Sequence, residues 1–280
     1  MPSLRIARMK ARTIALSLVI ALSLVFVTSA CGRPEPPTFP QGELVDLSHT
    51  YDAQTIYWPT AEGFRLRKDA DGVTPAGYYY AANSLFTSEH GGTHIDAPIH
   101  FAQGHPAVDA IPLSRLLGSA FVIDVTAQSE ANADYQVTTE DFARFEREHG
   151  TIPDNAIVLI RTGFSKRWPD AARYLGTATR GEEGAKLLHF PGLHPDAARW
   201  LVANRRIGAI GIDTASIDYG QSTLFESHRV LYERDVPAFE NITALERLPV
   251  TGAYVIALPM KIGGGSGAPL RAVAVLPSAR

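Results

Sequence analysis

After residue 42, short apolar runs recur along the chain between polar and glycine-rich stretches. The runs are rich in Val, Ile and aromatic residues, which is typical of β-strands. They predict seven strands, at Leu44–Leu47, Tyr79–Thr87, Ala120–Val125, Ala156–Arg161, Ile207–Ile212, Ala253–Leu258 and Ala272–Leu276.

Helical spacing of apolar residues appears between some of these strands. It predicts three helices, at Thr139–His149, Pro195–Asn204 and Ser222–Arg234. Thr138 or Thr139 and Ser222 are suitable N-caps, and proline suits the first turn of a helix. Because strands and helices mix without strict alternation, the pattern predicts an α+β or mixed α/β sheet in one domain.

The first thirty residues differ from the rest and predict a signal peptide. Arg5, Arg8, Lys10 and Arg12 precede a run of 14 uncharged residues, 14–27. Such a run is short for a bilayer span but suits a secretory signal. Residues 32–42 hold four prolines and two glycines, which favours a stiff extended tether. We therefore divide the chain into residues 1–30, 31–42 and 43–280.

Cys31 is the single cysteine of the chain and follows Thr28-Ser29-Ala30. These residues resemble a bacterial lipobox, in which the cysteine is lipidated. An ordinary cleaved signal with an incidental cysteine is the alternative. The resemblance implies an exported lipoprotein on the periplasmic side of a bacterial membrane. Gly32 in place of Asp resembles the pattern that directs such proteins to the outer membrane of Gram-negative cells.

Composition and charge exclude several classes of protein. The chain has 45% hydrophobic and 20% charged residues, unlike a disordered or disulfide-rich chain. Its formal net charge is −3; without residues 1–30, which carry four basic and no acidic residues, it is −7. No nucleic-acid partner is expected of such a chain. Anionic lipid would repel it, so membrane association is expected through the lipid anchor alone.

Four candidate metal ligands lie close together in the sequence: His90, His94, Asp96 and His100. Gly91 and Gly92 disfavour a zinc-binding helix here. On an extended backbone, side chains at even positions would lie on one side, with the glycines allowing the chain to bend near an ion. Imidazole and carboxylate ligands suit a divalent ion, zinc first and manganese second. A polar loop with solvated histidines is the alternative.

The segment HGGTHIDAPIH resembles the HxGTHxDxPxH signature of the metal-dependent cyclase family, which includes bacterial kynurenine formamidases and isatin hydrolases. Trp58-Pro59, the segment 211–218, and the spacing of His228 and Glu240 also match this family. The resemblance implies a swivelling β/β/α domain with a mixed sheet and flanking helices. It also implies a homodimer or larger homo-oligomer.

The resemblance also implies roles for individual residues. His90, His94 and Asp96 would hold one metal ion, and Asp96, His228 and Glu240 a second, although some family members work with one. His100 would be the general acid/base, and Trp58 would stack against an aromatic substrate. From the residues alone, His228 shares a predicted helix face with Leu224 and Leu231, so it is expected to point inward. A hydrogen-bonded core histidine is the alternative.

The expected function is hydrolysis of an amide C–N bond. Arylformamidase activity, which converts N-formylkynurenine to kynurenine and formate, is the first candidate. An isatin-hydrolase-like activity, or one on another cyclic amide or lactone, is the alternative. A lipoprotein that binds zinc without catalysis is the alternative of another class. Ile262–Gly267 lacks the GxSxG and phosphate-loop patterns and is expected to be the turn between the last two strands.

Overall fold

The computed structural model describes residues 41–277. The predicted signal peptide, Cys31 and almost all of the tether lie outside the described residues, so their processing, lipidation and membrane attachment stay predictions. Within residues 41–277, no helix combines the length and apolar character that a bilayer span requires.

The described chain is organised around one large mixed sheet. Its strands, with those of two small sheets, are β1 (Leu44–Asp46), β2 (Arg65–Val73), β3 (Tyr79–Phe86), β4 (His94–Asp96), β5 (Leu117–Asp124), β6 (Gln136–Val137), β7 (Ile157–Arg161), β8 (Gly192–Leu193), β9 (Ala209–Ile212), β10 (Ala238–Glu240), β11 (Thr251–Pro259) and β12 (Gly267–Val275). Every predicted strand overlaps one of these. The very short β4, β6, β8 and β10 were not predicted, and neither was β2.

The large sheet closes on itself. Its order is β1-β12-β11-β5-β7-β9-β10-β4, and β4 also pairs with β12. The neighbours β5, β7, β9 and β10 run parallel, whereas β4 is antiparallel to both of its partners. Each strand of the ring therefore has neighbours on both sides, as in a barrel.

The two faces of the sheet pack into different apolar clusters. Val122, Leu159 and Ile95 belong to a cluster built mainly from strand residues of the ring. Ile123 and Ile160 point to the other face, where they join a cluster formed with the helices. The alternation of adjacent residues between the two clusters follows from the two-residue period of strands.

The α-helices of the described residues are α1 (Thr126–Ala131), α2 (Thr139–His149), α3 (Ala171–Tyr174), α4 (Gly181–Ala185), α5 (Pro195–Asn204) and α6 (Glu226–Tyr232). Of these, α2, α5 and α6 contribute residues to the cluster on the second face. The predicted bounds of α2 and α5 are confirmed. The Thr138 side chain accepts the Asp141 N–H, and Asp141 reciprocates, so a capping box begins α2. Proline at the first position begins α5.

The prediction for α6 was wrong at its start. Ser222 does not cap this helix, which begins at Glu226 after Phe225, a residue with φ of 48°. Instead the Ser222 hydroxyl accepts the Phe225 N–H at 3.2 Å and stabilises the preceding turn. Because Leu224 precedes the helix and is 64% exposed, it does not share a buried face with His228. Leu231 does, since it is fully buried.

Strands β2 and β3 form a two-stranded hairpin with little burial on either face. Its exposed large apolar residues are Leu66, Val73, Tyr78, Tyr79, Tyr80, Leu85 and Phe86. The pattern of β2 gave no strand signal because charged residues occupy both of its faces. Exposed apolar patches are typical of association surfaces; the predicted homodimer or larger assembly stays a prediction.

Candidate metal centre

The site is built on β4, the three-residue strand between β10 and β12. Glu240 of β10 lies opposite His94, and Ala238 lies opposite Asp96. Alternation places His94 and Asp96 on the face toward α6, while Ile95 enters the opposite cluster. His90 lies in the bend before β4, and His100 ends a 3-10 turn that Pro98 begins. Strand alternation therefore brings together only two of the four predicted residues, and turns place the others.

Gly91 and Gly92 are required by tyrosine packing. A Cβ at Gly91 would lie 2.0 Å from Cδ1 of Tyr57, and one at Gly92 would lie 2.7 Å from the Tyr51 ring. Gly92 also has φ of 59°, which favours glycine. The structure thus gives these glycines a close approach to two aromatic rings, and their expected approach to an ion stays a prediction.

His94, Asp96 and Glu240 form a buried group of potential ligands. His94 Nε2 lies 3.1 Å from Asp96 Oδ1 and 3.5 Å from Glu240 Oε2. One ligand atom from each of the three residues lies within 4.8 Å of the other two. The His94 Nδ1–H donates to the Gly92 carbonyl at 2.9 Å, so the neutral ring carries its lone pair on Nε2.

Although Asp96 Oδ1 lies 3.1 Å away, the buried His94 Nε2 atom has no partner in hydrogen-bond geometry. A buried polar nitrogen without a partner is costly, so such an atom in a native protein calls for an explanation. A divalent ion between this nitrogen and the two carboxylates would supply the missing partner. Histidine with two carboxylates is a donor set that suits zinc or manganese. The residues present therefore fit the predicted ion.

The carboxylates of Asp96 and Glu240 lie close enough to repel each other when both are charged. Burial opposes the charged form of Asp96, but His90, His100 and His228 outweigh burial and hold its pKa well below the usual range. Burial and the neighbouring Asp96 raise the pKa of Glu240. A cation beside both would favour the anionic form of each. This again supports a metal ion at the site.

His228 of α6 faces the same carboxylates from the helical layer. Its Nε2 lies 3.3 Å from Asp96 Oδ2 and 3.2 Å from Glu240 Oε1. Its Nδ1 is 2.5 Å from Asp218 Oδ2, which fixes the ring. The prediction that His228 points inward is confirmed, since it is buried. Asp96 Oδ2 also accepts a hydrogen bond from the Tyr232 hydroxyl at 2.8 Å. Glu240 Oε1 accepts one from the Ile217 N–H at 2.6 Å.

His90 and His100 stack on the more open side of the site. Their ring centroids are 3.8 Å apart with an angle of 18° between the planes. His90 Nδ1 lies 2.7 Å from Asp96 Oδ1. Burial is the largest cause that lowers the pKa of His100, to about 4, although Asp96 acts in the opposite direction. A neutral imidazole at physiological pH is able to accept a proton.

An aromatic-walled pocket opens above these groups and has a volume of about 290 Å³. Trp58 lies in its wall, with its ring 6.2 Å from Phe225 and 6.4 Å from Phe190. Phe101 also lines the pocket, 5.2 Å from Phe225. The structure thus brings Trp58 to the pocket that contains the proposed metal ligands.

Several residues at the site were not assigned roles from sequence. Asp218 lies in the segment 211–218 that carries the resemblance, and Tyr232 is one helical turn after His228, so both had a local signal. Asn241, which follows Glu240 in the sequence, donates its side-chain amide N–H to the Gly92 carbonyl at 2.8 Å. Glu89 and Ser266 are 177 positions apart, and no local pattern relates them.

Imidazoles and carboxylates that converge beneath a pocket are the donor groups that metal-dependent hydrolases use. The family model described as "Putative cyclase" matches residues 45–219. The isatin hydrolase of Roseibium aggregatum is 33% identical over 211 residues, 72% of this chain and 78% of the relative. The kynurenine formamidase of Salinibacter ruber is 29% identical over 241 residues, 82% of this chain and 96% of the relative.

Solved structures agree with the sequence relatives. Isatin hydrolase A from Labrenzia aggregata, bound to benzyl benzoate, superposes with a TM-score of 0.76 at 34% identity, covering 84% of this chain and 94% of that one. An isatin hydrolase bound to the product analogue thioisatinate also gives 0.76, at 26% identity, covering 97% and 99%. The chain belongs to the cyclase family of metal-dependent hydrolases. The predicted family and fold class are confirmed.

Proposed function

We propose that this protein hydrolyses the amide C–N bond of a small aromatic amide. The observation that carries the proposal is the unpartnered, buried His94 Nε2, which faces Asp96 and Glu240 beneath an aromatic pocket. The neutral His100 lines the same pocket and makes no bond to the carboxylates. A site that combines metal ligands with an uncommitted acid/base is typical of catalysis rather than metal storage.

His90, His94 and Asp96 would hold one divalent ion, with Glu240 Oε2 3.5 Å from His94 Nε2. Asp96, His228 and Glu240 would hold a second. When bound, such an ion polarises a carbonyl oxygen and lowers the pKa of a water molecule to about 7. His100 accepts the proton of the attacking water as the new C–O bond forms. It then protonates the leaving nitrogen as the C–N bond breaks. An amine leaves poorly without that proton, so the mechanism needs a histidine that binds no metal.

The stacked His90 ring holds the His100 ring in a fixed plane at the pocket floor. Phe101, adjacent to His100, packs against it edge-on with centroids 4.5 Å apart. These contacts limit rotation of the His100 ring, so its free nitrogen keeps one direction. A fixed direction serves a group that must take a proton from one atom and deliver it to another.

Aromatic side chains favour a flat aryl substrate. Trp58, Phe101 and Phe225 offer apolar surfaces around the pocket, and ring pairs of this kind stabilise binding by about 0.5–1.5 kcal/mol each. We place isatin first among candidate substrates, because the isatin hydrolases reach 33–34% identity to this chain. N-formylkynurenine is second, because the formamidase relative is 29% identical.

The test is a substrate panel with the purified full chain, stripped of metal and reloaded with zinc or manganese. Isatin, N-formylkynurenine and a small lactam are assayed by product chromatography. We expect metal-dependent opening of isatin, abolished by a chelator and restored by the ion. The matched control is the same protein without added metal.

Two results would overturn the proposal. Turnover that persists in metal-free protein would contradict a metal-dependent site. Stoichiometric zinc binding without hydrolysis of any aryl amide would instead favour a metal-binding protein without catalysis. Hydrolysis of N-formylkynurenine in preference to isatin would keep the reaction class and reverse the order of the substrates.

A further inference from the structure

Ser266, in the glycine-rich turn Ile262–Gly267, contacts the site from outside the predicted ligand set. This turn joins β11 to β12, as predicted from sequence. The Ala97 N–H donates to the Ser266 carbonyl and the Val108 N–H to the Gly265 carbonyl, both at 2.9 Å. The Gly264 N–H donates to Asp109 Oδ1 at 3.0 Å. Three hydrogen bonds therefore fix the turn against the segment that carries His100.

The Ser266 hydroxyl connects two other side chains. It donates to Glu89 Oε2 at 2.6 Å, and the Ser266 N–H donates to the same oxygen at 3.0 Å. On its other side the hydroxyl lies 2.9 Å from His90 Nε2. Because the single hydroxyl hydrogen points to the Glu89 carboxylate, the oxygen is left as an acceptor toward His90. The His90 ring must therefore carry its proton on Nε2.

This proton position has a consequence for the other nitrogen of His90. With Nε2 protonated, Nδ1 of the neutral ring is a lone-pair atom, yet it lies 2.7 Å from Asp96 Oδ1. Two acceptors at that separation repel each other unless a positive charge is placed with them. In the absence of an ion, a second proton on the ring supplies that charge and donates to Asp96; at the proposed metal site, a divalent ion would take its place. His94 and His228 differ, because their Nδ1 atoms bond Gly92 and Asp218 and leave Nε2 toward the carboxylates.

Glycines make room for this arrangement. A Cβ at Gly267 would lie 2.5 Å from His90 Cε1 and 2.7 Å from the Ile95 carbonyl oxygen. A Cβ at Gly265 would lie 2.8 Å from Glu89 Oε1. Larger residues at either position would displace the His90 ring or the Glu89 carboxylate. The absence of a Cβ at Gly265 and Gly267 thus allows the turn to pack closely on Glu89 and on the His90 ring.

We propose that Glu89 and Ser266 are positioning residues that present Nδ1 of His90 to the metal ion. A carboxylate that acts on a metal-bound histidine through its other nitrogen is a common device, and its loss weakens metal affinity by about 10- to 100-fold. In this protein a serine hydroxyl stands between the carboxylate and the ring. The inference rests on the proposed metal site and is independent of the substrate.

The test measures zinc affinity by competition with a chromogenic chelator, without substrate. We expect Ser266→Ala to bind zinc about 10- to 100-fold more weakly. Ser266→Thr, which keeps the hydroxyl, should stay close to the parent protein, and Glu89→Gln should fall between them. Ser84→Ala is the matched control, because Ser84 also donates its hydroxyl to a carboxylate, that of Asp69, but on the exposed hairpin. It should bind zinc unchanged.

A second measurement reads the nitrogen directly. In a long-range proton–nitrogen spectrum of the zinc-loaded protein, labelled with nitrogen-15 in histidine, we expect His90 to be bound through Nδ1 and protonated on Nε2. A spectrum with His90 bound through Nε2 would overturn the proposal, as would parent-like zinc affinity in Ser266→Ala. If Ser266→Ala does not fold, Glu89→Gln and the spectrum of the parent protein decide. If the protein hydrolyses none of the substrates but zinc affinity and the His90 spectrum are as expected, the proposed function is contradicted and this inference is not.

Discussion

The two sides of the candidate site differ in burial and in what fixes them. His94, Asp96, His228 and Glu240 are each at most 3% exposed, and backbone pairing or a packed helix places them. The His90 side chain is 25% exposed and is fixed by stacking and side-chain hydrogen bonds. Burial strengthens the interaction of ligands with an ion, whereas proton exchange with substrate needs access. The buried side is thus suited to hold metal, whereas the open side combines the proposed ligand His90 with His100, which is placed to move a proton.

The largest effect is expected from Asp96→Asn, since Asp96 contacts both sides. Asn keeps the size but removes the charge that offsets the ion, so zinc affinity should fall by more than about 100-fold, beyond the loss expected for an outer partner. Metal content after gel filtration and turnover of isatin are the measurements. The control is Asp124→Asn, a carboxylate paired with Arg161 away from the pocket. Full zinc occupancy in Asp96→Asn would contradict the assignment of the buried side.

His100→Asn should separate the two sides most clearly. It removes the acid/base without touching the buried ligands, so kcat should fall by about 10²- to 10⁴-fold while zinc binding is retained. Stopped assays and the chelator competition measure the two quantities on one preparation. Unchanged turnover would remove His100 from the mechanism. Loss of zinc together with turnover would make it a ligand, in keeping with the short distances among His90, Asp96 and His100.

The smallest effect is expected at the pocket wall. Trp58→Leu keeps an apolar side chain but loses the stacking surface, so KM for an aryl amide should rise by about 2- to 10-fold with little change in kcat. Steady-state kinetics check the split. Tyr79→Leu, on the exposed hairpin, is the control and should change neither constant. A fall in kcat with KM unchanged would mean that Trp58 acts on the reacting groups.

The elements with strong periodicity could be predicted from the sequence, and those fixed by distant partners could not. The capping residue and proline that begin α2 and α5 lie within their own segments. In contrast, β4 and β10 are three fully buried residues each, so they show no alternation. The spacing of His94 and Asp96 placed them on one face, but Glu240 was reached by family resemblance. Ser266 becomes relevant only when the fold brings it beside Glu89.

The closure of the sheet through β4 limits how this protein can vary by insertion. A shift of one residue in β4 would turn Ile95 toward α6 and place His94 and Asp96 in the apolar cluster, because side chains alternate along a strand. The same shift would break the pairing that joins β10 to β12. The register of the three residues of β4 therefore determines both the closure of the sheet and the position of the candidate metal ligands. An insertion in the exposed hairpin would leave this alignment unchanged, whereas one between Gly92 and Pro98 would displace the ligands and the strand pairing together.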